Sequence, residues 1–160
     1  MSEFWLSLEN LPLALHIGES WWFPLLESIH VLTAMLVVGS ILFVDLRLVG
    51  LAAMRYPTSR FIGEALPWTW SSFVLAVITG GGMFITRASW YIENTAFQAK
   101  LVLLALAAAN MVLFHWLSRR DLARWDATNH TSTAARLAGV ASLFCWLGVT
   151  LAGRWTGHLS

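Results

Sequence analysis

Four long stretches of the chain contain no Asp, Glu, Lys or Arg, and this pattern limits the possible fold more than any other feature. They are Ser28–Val44, Ala65–Thr86, Leu101–Ser118 and Leu137–Gly153. Each is close to the ~17–25 apolar residues that a membrane-spanning helix needs. Hydrophobic residues make up 58% of the chain and charged residues 12%, whereas a soluble domain is nearer about one half and about one quarter. The sequence therefore predicts an all-α fold, an integral membrane four-helix bundle.

The predicted helices leave little of the chain unused. We expect spanning helices at about 24–53, 66–87, 95–119 and 134–155, with a proline in the first turn of the second. Together with short connections they fill a chain of 160 residues, so residues 1–160 are predicted to form a single membrane domain without a soluble catalytic module. Cys145 is the only cysteine, which excludes an intrachain disulfide and a C-x-x-C-H motif for covalently attached haem.

Residues 3–17 are too short and too polar to span a membrane, but their apolar side chains recur on one face of a helix. That stripe is formed by Phe4, Leu8, Leu11 and Leu15. Pro12 is expected to break or restart the helix, and Asn10 is a candidate cap. We therefore predict an amphipathic N-terminal helix that lies in the membrane interface. Trp21 and Trp22 follow it, as expected of an aromatic belt.

The positively charged residues predict the orientation of the four spans, because cytoplasmic loops carry an excess of Lys and Arg. One face receives Arg47, Arg55, Arg60, Arg119, Arg120, Arg124 and Arg136, and the other receives Arg87, Lys100 and Arg154. The sequence therefore predicts a multi-pass membrane protein with both termini on the outer side of the membrane. The net charge of +1 and the lack of a long basic run give no indication of nucleic-acid binding.

Two histidines, His30 and His115, lie inside predicted spans. An ionisable side chain at membrane depth indicates a functional site, because its desolvation needs a compensating partner. The first and third spans run in the same direction, with His30 outward of the middle and His115 inward of it. At ~1.5 Å per residue the two are separated by roughly 20 Å in depth. They cannot ligate the same iron, and each is assigned to a different membrane surface.

The outer surface is expected to collect three histidines and two cations, because the fourth span returns the chain to that side. Haem b needs one or two axial imidazoles from facing helices, and Lys or Arg can pair with its propionates. The candidate cofactor-binding residues are His30, His115, His158, Arg154 and Lys100, and His16 is a further candidate metal ligand. Glycines at positions 80–82, 148 and 153 are expected to give clearance to the flat ring.

The inner surface has fewer candidates, chiefly His115 and a loop histidine, His130. Asp45 and Arg47 are interpreted as charges that pair with neighbouring helices at a helix end, because residues two apart in a helix do not face each other. A five-coordinate haem, a haem shared between subunits and a mixed haem and copper arrangement all stay open. The alternative is that each buried histidine only forms a hydrogen bond to a neighbouring helix.

Several strings in the sequence carry a resemblance to known proteins. They are IHVLTAMLVVGSILFVDLRLVGL, PWTW, NTAFQAK, NMVLFH and GRW, within residues 24–155. Together they resemble a bacterial family of small four-helix membrane proteins of unknown function. More loosely, the histidine followed by AxxxxGS is similar to the first helix of copper-resistance D-type membrane proteins, and the four-helix plan resembles the b-type cytochromes. The cytochrome resemblance implies histidine pairs on two helices as haem ligands.

Three functions follow as hypotheses. The leading one is a haem b-binding membrane protein that carries electrons across or within the bilayer, with one cofactor site near each surface and a quinone or redox protein as partner. The second is a copper-handling permease or sensor that uses His16, His30, His158 and Met83. The third is a structural subunit without cofactor. No catalytic triad, phosphate loop or zinc motif indicates hydrolysis, so any enzymatic activity would be oxidoreduction. The limited internal room favours a homo-oligomer.

Overall fold

The computed structural model describes the backbone of residues 2–52, 58–118 and 132–158, and their side chains except those of residues 2, 58, 59, 61, 62, 115, 117 and 118. Within these ranges the chain is helical, without a β-strand. The helices are α1 (Ser2–Glu9), α2 (Pro12–Gly18), α3 (Trp22–Val49), α4 (Thr58–Thr86), α5 (Ala88–Glu93), α6 (Thr95–Ser118) and α7 (Thr133–Trp155). Four of them, α3, α4, α6 and α7, are long and apolar enough to cross a membrane. The predicted all-α fold with four spanning helices is confirmed.

The long helices pack in the order α4, α3, α7, α6. The hydroxyl of Thr69 on α4 donates to the Ser40 hydroxyl on α3 at 2.8 Å. Further along, His30 on α3 lies opposite Ala76 on α4. Because the residue numbers rise along one helix as they fall along the other, α3 and α4 are antiparallel. Along the described residues α4 and α6 have at most slight contact, so the ring of four helices is open on that side.

The second helix pair, α6 and α7, is also antiparallel. Asn110 donates its amide to the Ala138 carbonyl at 3.0 Å, and near the other end the side chain of Lys100 lies over Gly153. Near the start of α7, a Cβ atom at Gly139 would lie 3.2 Å from the Asp45 carbonyl oxygen, close to the end of α3. The start of α3 and the start of α6 are therefore at the same end of the bundle, and the two helices run in the same direction.

The surface of the four long helices is apolar, and their contacts are made by small residues. Large side chains such as Leu32, Met35, Ile78 and Phe144 are exposed, while the buried positions include Val37, Ala107, Ala135, Gly139 and Val149. This arrangement suits a lipid solvent, in which helices gain little from burying large apolar side chains and instead pack closely through small ones. The outward faces are accordingly what a bilayer would cover.

The end of α3 differs from the prediction by four residues. The helix was expected to reach Ala53, but it ends at Val49 because Gly50 adopts a left-handed conformation with φ of 91°. The amide of Leu51 then bonds to the Leu46 carbonyl at 2.9 Å, which is the closing bond of a Schellman motif. Glycine adopts positive φ without the steric penalty of a Cβ atom.

The start of α4 was also predicted wrongly. Pro67 was placed in the first turn, yet α4 begins at Thr58 and Pro67 lies inside it. Upstream of the proline, the Arg60 guanidinium contacts the Glu64 carboxylate at 2.9 Å, one helical turn away. Residues 58–66 therefore continue the helix, while the apolar span itself covers Gly63–Thr86.

The N-terminal segment folds as two short helices, with the break where Pro12 predicts it. Pro12 is the first residue of α2. The expected cap is wrong: Asn10 donates to the Leu6 carbonyl of α1 at 2.8 Å, and so completes the end of α1. Glu9 accepts bonds from the Ser89 amide at 2.7 Å and the Ser89 hydroxyl at 2.6 Å. These bonds attach α1 to α5, at the end of the bundle where α3 begins. Location in a membrane interface stays a prediction.

Candidate functional site

The imidazole of His30 lies between α3 and α4 and forms hydrogen bonds to α4 through one of its two nitrogens. Its Nδ1 atom lies 2.9 Å from the Ala76 carbonyl oxygen and 3.2 Å from Thr79 Oγ1. A carbonyl oxygen can only accept a hydrogen bond, so Nδ1 carries the hydrogen. In the neutral ring this leaves Nε2 with its lone pair. Histidines that ligate metals are commonly fixed in this way, by a bond from the other ring nitrogen to a backbone carbonyl.

The surroundings of His30 on α4 are shaped to fit the ring. Thr79 is buried, and its hydroxyl donates to the Leu75 carbonyl at 2.8 Å, so its oxygen faces Nδ1 as an acceptor. A Cβ atom at Gly80 would lie 3.0 Å from Cε1 of His30. Only glycine leaves room there for an imidazole in this position. The sequence indicated His30 as important but gave no sign that 76, 79 and 80 would position it.

The glycines do not provide the flat clearance that was predicted for a haem ring. Gly80 accommodates the imidazole itself, and three others accommodate protein side chains. Ideal Cβ atoms would lie 3.1 Å from Leu26 at Gly82, 2.9 Å from Leu103 at Gly148 and 3.5 Å from Lys100 at Gly153. Gly81 is the exception, with no atom within 4 Å. Close packing between helices explains these four positions, and the prediction of ring clearance is wrong for them.

The structure brings Lys100 to the end of the bundle where His30 lies. Its aliphatic stem crosses Gly153, with Nζ 3.5 Å from the ideal Cβ position. The neighbouring cation Arg154 is exposed on the last turn of α7. Both cations therefore occupy the predicted end of the protein, where negatively charged groups of a ligand or of lipids can meet them.

The remaining histidines are less closely associated with His30. His16 on α2 and His158 after α7 are both exposed. Among the residues with described side chains, no three His, Cys, Asp or Glu converge so that they could hold a metal ion. The structure therefore does not assemble His16, His30 and His158 into a common set of ligands for a bare ion.

His115 lies at the opposite end of the bundle from His30, as its depth predicts. Its backbone belongs to the last turns of α6, fifteen residues beyond Lys100, or about 22 Å along a helix axis. The side chain of His115 lies outside the described residues, and so does the whole of His130. Their assignment as ligands of an inner site therefore stays a prediction.

The end opposite His30 contains a buried polar group that the sequence interpretation missed. Asp45 is 5% exposed, and the Ser142 side chain of α7 lies beside its carboxyl group. The carboxyl oxygen Oδ2 is buried without a hydrogen-bond partner in the structure as described. The helices approach closely here, since a Cβ atom at Gly139 would lie 3.2 Å from the Asp45 carbonyl oxygen. Asp45 is therefore a buried site, and Arg47 two residues further on is 1% exposed; the pairing of these charges with neighbouring helices stays a prediction.

Another residue missed from the sequence, Asn94, joins the connection between α5 and α6 to the end of α7. Its side-chain oxygen accepts from the Phe97 amide at 3.1 Å, as a helix cap does. Its Nδ2 atom donates to the Thr156 carbonyl at 3.1 Å. The sequence did contain a signal for this role, because Asn94 directly precedes a predicted helix and asparagine is a preferred N-cap residue. Both ends of the described chain are thus fastened at the end of the bundle where His30 lies.

The fold and these sites define a class: a small helical protein with four candidate spans, a half-buried His30 near one end and the buried Asp45 and Arg47 near the other. The chain belongs to a family of unknown function, DUF6644, whose sequence model matches residues 20–159. This confirms the expected membership of an uncharacterised family. No curated protein and no solved structure matches the chain. The resemblances to copper-resistance D-type proteins and b-type cytochromes stay predictions.

Proposed function

We propose that this protein binds haem b and carries electrons within the bilayer, with His30 Nε2 as an axial ligand of the iron. One observation carries the proposal. The Nδ1 atom of His30 is occupied by the Ala76 carbonyl 2.9 Å away, so the neutral imidazole has only Nε2 to offer as a ligand. Such a second bond fixes the tautomer and orientation of a metal-ligating histidine.

Haem also suits a site with few protein ligands. The porphyrin supplies four nitrogen ligands, so the protein has to supply only one or two. His30 meets this requirement alone or together with a histidine such as His158, from this chain or from a second copy in a homo-oligomer. Lys100 and Arg154 lie at the same end of the bundle and would pair with the propionates. When bound, the haem would accept and release single electrons.

A second haem near His115 is the further part of the proposal, and it rests on the sequence alone. Two haems at opposite ends of the bundle would let electrons cross the bacterial inner membrane. Both termini would then lie in the periplasm, with a quinone or a redox protein as the exchange partner. The copper alternative has no comparable support, because a bare ion needs a set of converging ligands, and the described side chains do not form one.

The proposal is tested with protein purified from a bacterial host that makes haem. We expect the visible spectrum to change on addition of dithionite as a haem protein's does, with iron present and copper absent by metal analysis. His30→Ala should lose the outer haem, and added imidazole should restore it by replacing the missing ring. Thr79→Val should keep the haem but shift its reduction potential, because Thr79 contacts Nδ1 of the ligand.

Thr150→Val is the matched control for Thr79→Val, because Thr150 is exposed and bonds only within its own helix. We expect its spectrum and potential to be unchanged. A colourless protein without iron would overturn the haem proposal. A His30→Ala variant with the full wild-type absorbance would show that His30 is not the ligand. Stoichiometric copper in place of iron would favour the second function.

A further inference from the structure

A cavity of about 160 Å³ lies between the four long helices, at the end of the bundle opposite His30. It is bounded by α3, α4, α6 and α7, and most of its wall is apolar. Aromatic rings contribute much of that wall, from Phe73, Phe114 and Trp146. These residues are separate from those that hold His30, so the cavity is a second candidate site.

The cavity is partly open, and the packing of the helices shows on which side. Its lining includes Phe73 on α4 and Ala108 on α6, although these two helices have at most slight contact along their described residues. Ala108 itself is exposed. The gap between α4 and α6 therefore faces the region that lipid would occupy, and a molecule dissolved in the bilayer could reach the cavity sideways.

Asp45 gives the cavity one strongly polar point. The residue is 5% exposed and belongs to the cavity wall. Ser142 lies beside the carboxyl group, and Oδ2 is buried without a hydrogen-bond partner among the described residues. A carboxyl group at membrane depth needs a proton, a cation or a hydrogen-bond donor to offset its desolvation. The cavity thus offers a largely apolar wall and, among the described residues, a buried carboxylate oxygen that lacks a donor.

Size and chemistry together indicate the class of ligand. An apolar cavity of about 150 Å³ takes up one benzene ring, and aromatic walls suit a planar ring. A hydroxyl group is a donor that enters a bilayer at much lower cost than an ammonium group. We propose that the cavity binds a lipid-soluble hydroxylated aromatic ring, the headgroup of a phenol or hydroquinone, which donates its hydroxyl to Oδ2 of Asp45.

This site would bring a quinol headgroup into a protein that is proposed to carry electrons, but it does not depend on that proposal. The binding involves no electron transfer, and the residues that line the cavity do not include Ala76, Thr79 or Gly80, which position His30. The experiment therefore uses the purified full chain and measures binding alone, with or without bound haem. A failure here would leave the haem proposal intact, and the reverse also holds.

The probe is methylhydroquinone, kept reduced under nitrogen, and the readout is modification of Asp45 by dicyclohexylcarbodiimide. This apolar reagent attacks carboxyl groups that it reaches from the lipid phase, and peptide mass spectrometry measures the product. We expect Asp45 to be labelled and methylhydroquinone to suppress the labelling. Toluene, a ring of similar size without a hydroxyl, should need a concentration about tenfold or more higher, because it lacks the hydrogen bond to the carboxylate.

Two variants test whether the ligand enters through the gap between α4 and α6. Ala108→Phe places a bulky side chain in the opening without changing Asp45, so it should lower the labelling of Asp45 and abolish protection of the remaining labelling by methylhydroquinone. Ser71→Ala is the control, since Ser71 is exposed on α4 and donates only to the Pro67 carbonyl. It should behave as wild type. Equal protection by toluene, no protection by methylhydroquinone, an unlabelled Asp45, or wild-type protection in Ala108→Phe would each overturn the proposal.

Discussion

Both ends of the bundle hold ionisable side chains away from solvent, but the two ends differ: His30 is half-buried at one end, and Asp45 and Arg47 are buried at the other. At one end the His30 imidazole donates to a backbone carbonyl of α4 and packs against Gly80. At the other end the Asp45 carboxyl lies beside the Ser142 side chain of α7 and in the wall of a cavity, and its Oδ2 is buried without a hydrogen-bond partner among the described residues. The first group is fixed on one side and offers a ligand atom. The second is an acceptor that lacks a donor.

A helical bundle that faces lipid can therefore form two kinds of site in a similar way, by bringing two helices close together beside one polar side chain. Both depend on a glycine that lets a neighbouring helix come close, Gly80 in one case and Gly139 in the other. Gly80 makes space for a side chain, whereas Gly139 makes space for a backbone. Substitutions at these positions and at the polar partners therefore separate the two ends experimentally.

The largest effect is expected from Gly80→Val, which should remove most of the outer haem. Even a Cβ atom at this position would lie 3.0 Å from Cε1 of His30, so a branched side chain must displace the ring. The matched control is Gly81→Val, because nothing lies within 4 Å of the Cβ position there. The ratio of haem to protein measures both. Equal haem content in the two variants would contradict the geometry described for His30.

At the other end, Gly139→Ala should destabilise the packing of α3 against α7 by about 1–3 kcal/mol. The new methyl group would lie 3.2 Å from the Asp45 carbonyl oxygen and 3.3 Å from Leu48 Cβ, and a backbone atom cannot move aside easily. Gly39→Ala is the control, since its Cβ position is open. Unfolding in detergent measures the difference, and a Gly139→Ala variant as stable as Gly39→Ala would contradict this contact.

Ser142→Ala should cost about 1 kcal/mol, because it removes the hydroxyl that lies beside the buried Asp45 carboxyl and can donate to it. The outer end should be unaffected, so the haem content of this variant should equal that of wild type. Ser71→Ala provides the baseline, as an exposed serine on a spanning helix. Equal stability of Ser142→Ala and Ser71→Ala, or a lower haem content in Ser142→Ala than in wild type, would contradict this prediction.

The smallest effect is expected from Arg60→Gln. Arg60 and Glu64 form an ion pair at 2.9 Å, but their side chains are 73% and 70% exposed. Exposed pairs on one helix contribute at most about 0.5 kcal/mol, so neither the stability nor the spectrum should change measurably. A loss as large as that of Gly139→Ala would mean that the start of α4 is coupled to the rest of the bundle.

The sequence predicts the helices well and their ends less well. Charge-free stretches identify the four spans, because a bilayer excludes charge over a fixed length. The end of α3 depends instead on the conformation of Gly50, and the start of α4 on residues upstream of Pro67. Both are local details that apolar composition does not report. The helix break at Pro12 was predicted correctly, because Pro12 starts a short helix. A first-position residue has no hydrogen-bond partner for its N–H within the helix, so a proline is tolerated there.

The sites were predictable only in part, because a sequence gives depth but not rotation about a helix axis. The predicted depth of each residue in the membrane placed His30 and His115 near opposite surfaces and placed Lys100 at the end where His30 lies. The partners of His30 on α4 and of Asp45 on α7 depend on which faces meet, and that is decided by the close approach at Gly80 and Gly139. Asp45 was therefore interpreted as one charge of a helix-end pair.

The central claim is that His30 holds a haem, and the haem content per chain tests it most directly. The wild-type protein and His30→Ala are purified in parallel from a host that makes haem, and the pyridine haemochrome absorbance is measured against protein concentration. We predict at least one haem per wild-type chain, one fewer in His30→Ala, and recovery of that haem when imidazole is added. A wild-type protein without haem, or equal haem in both proteins, would contradict the account.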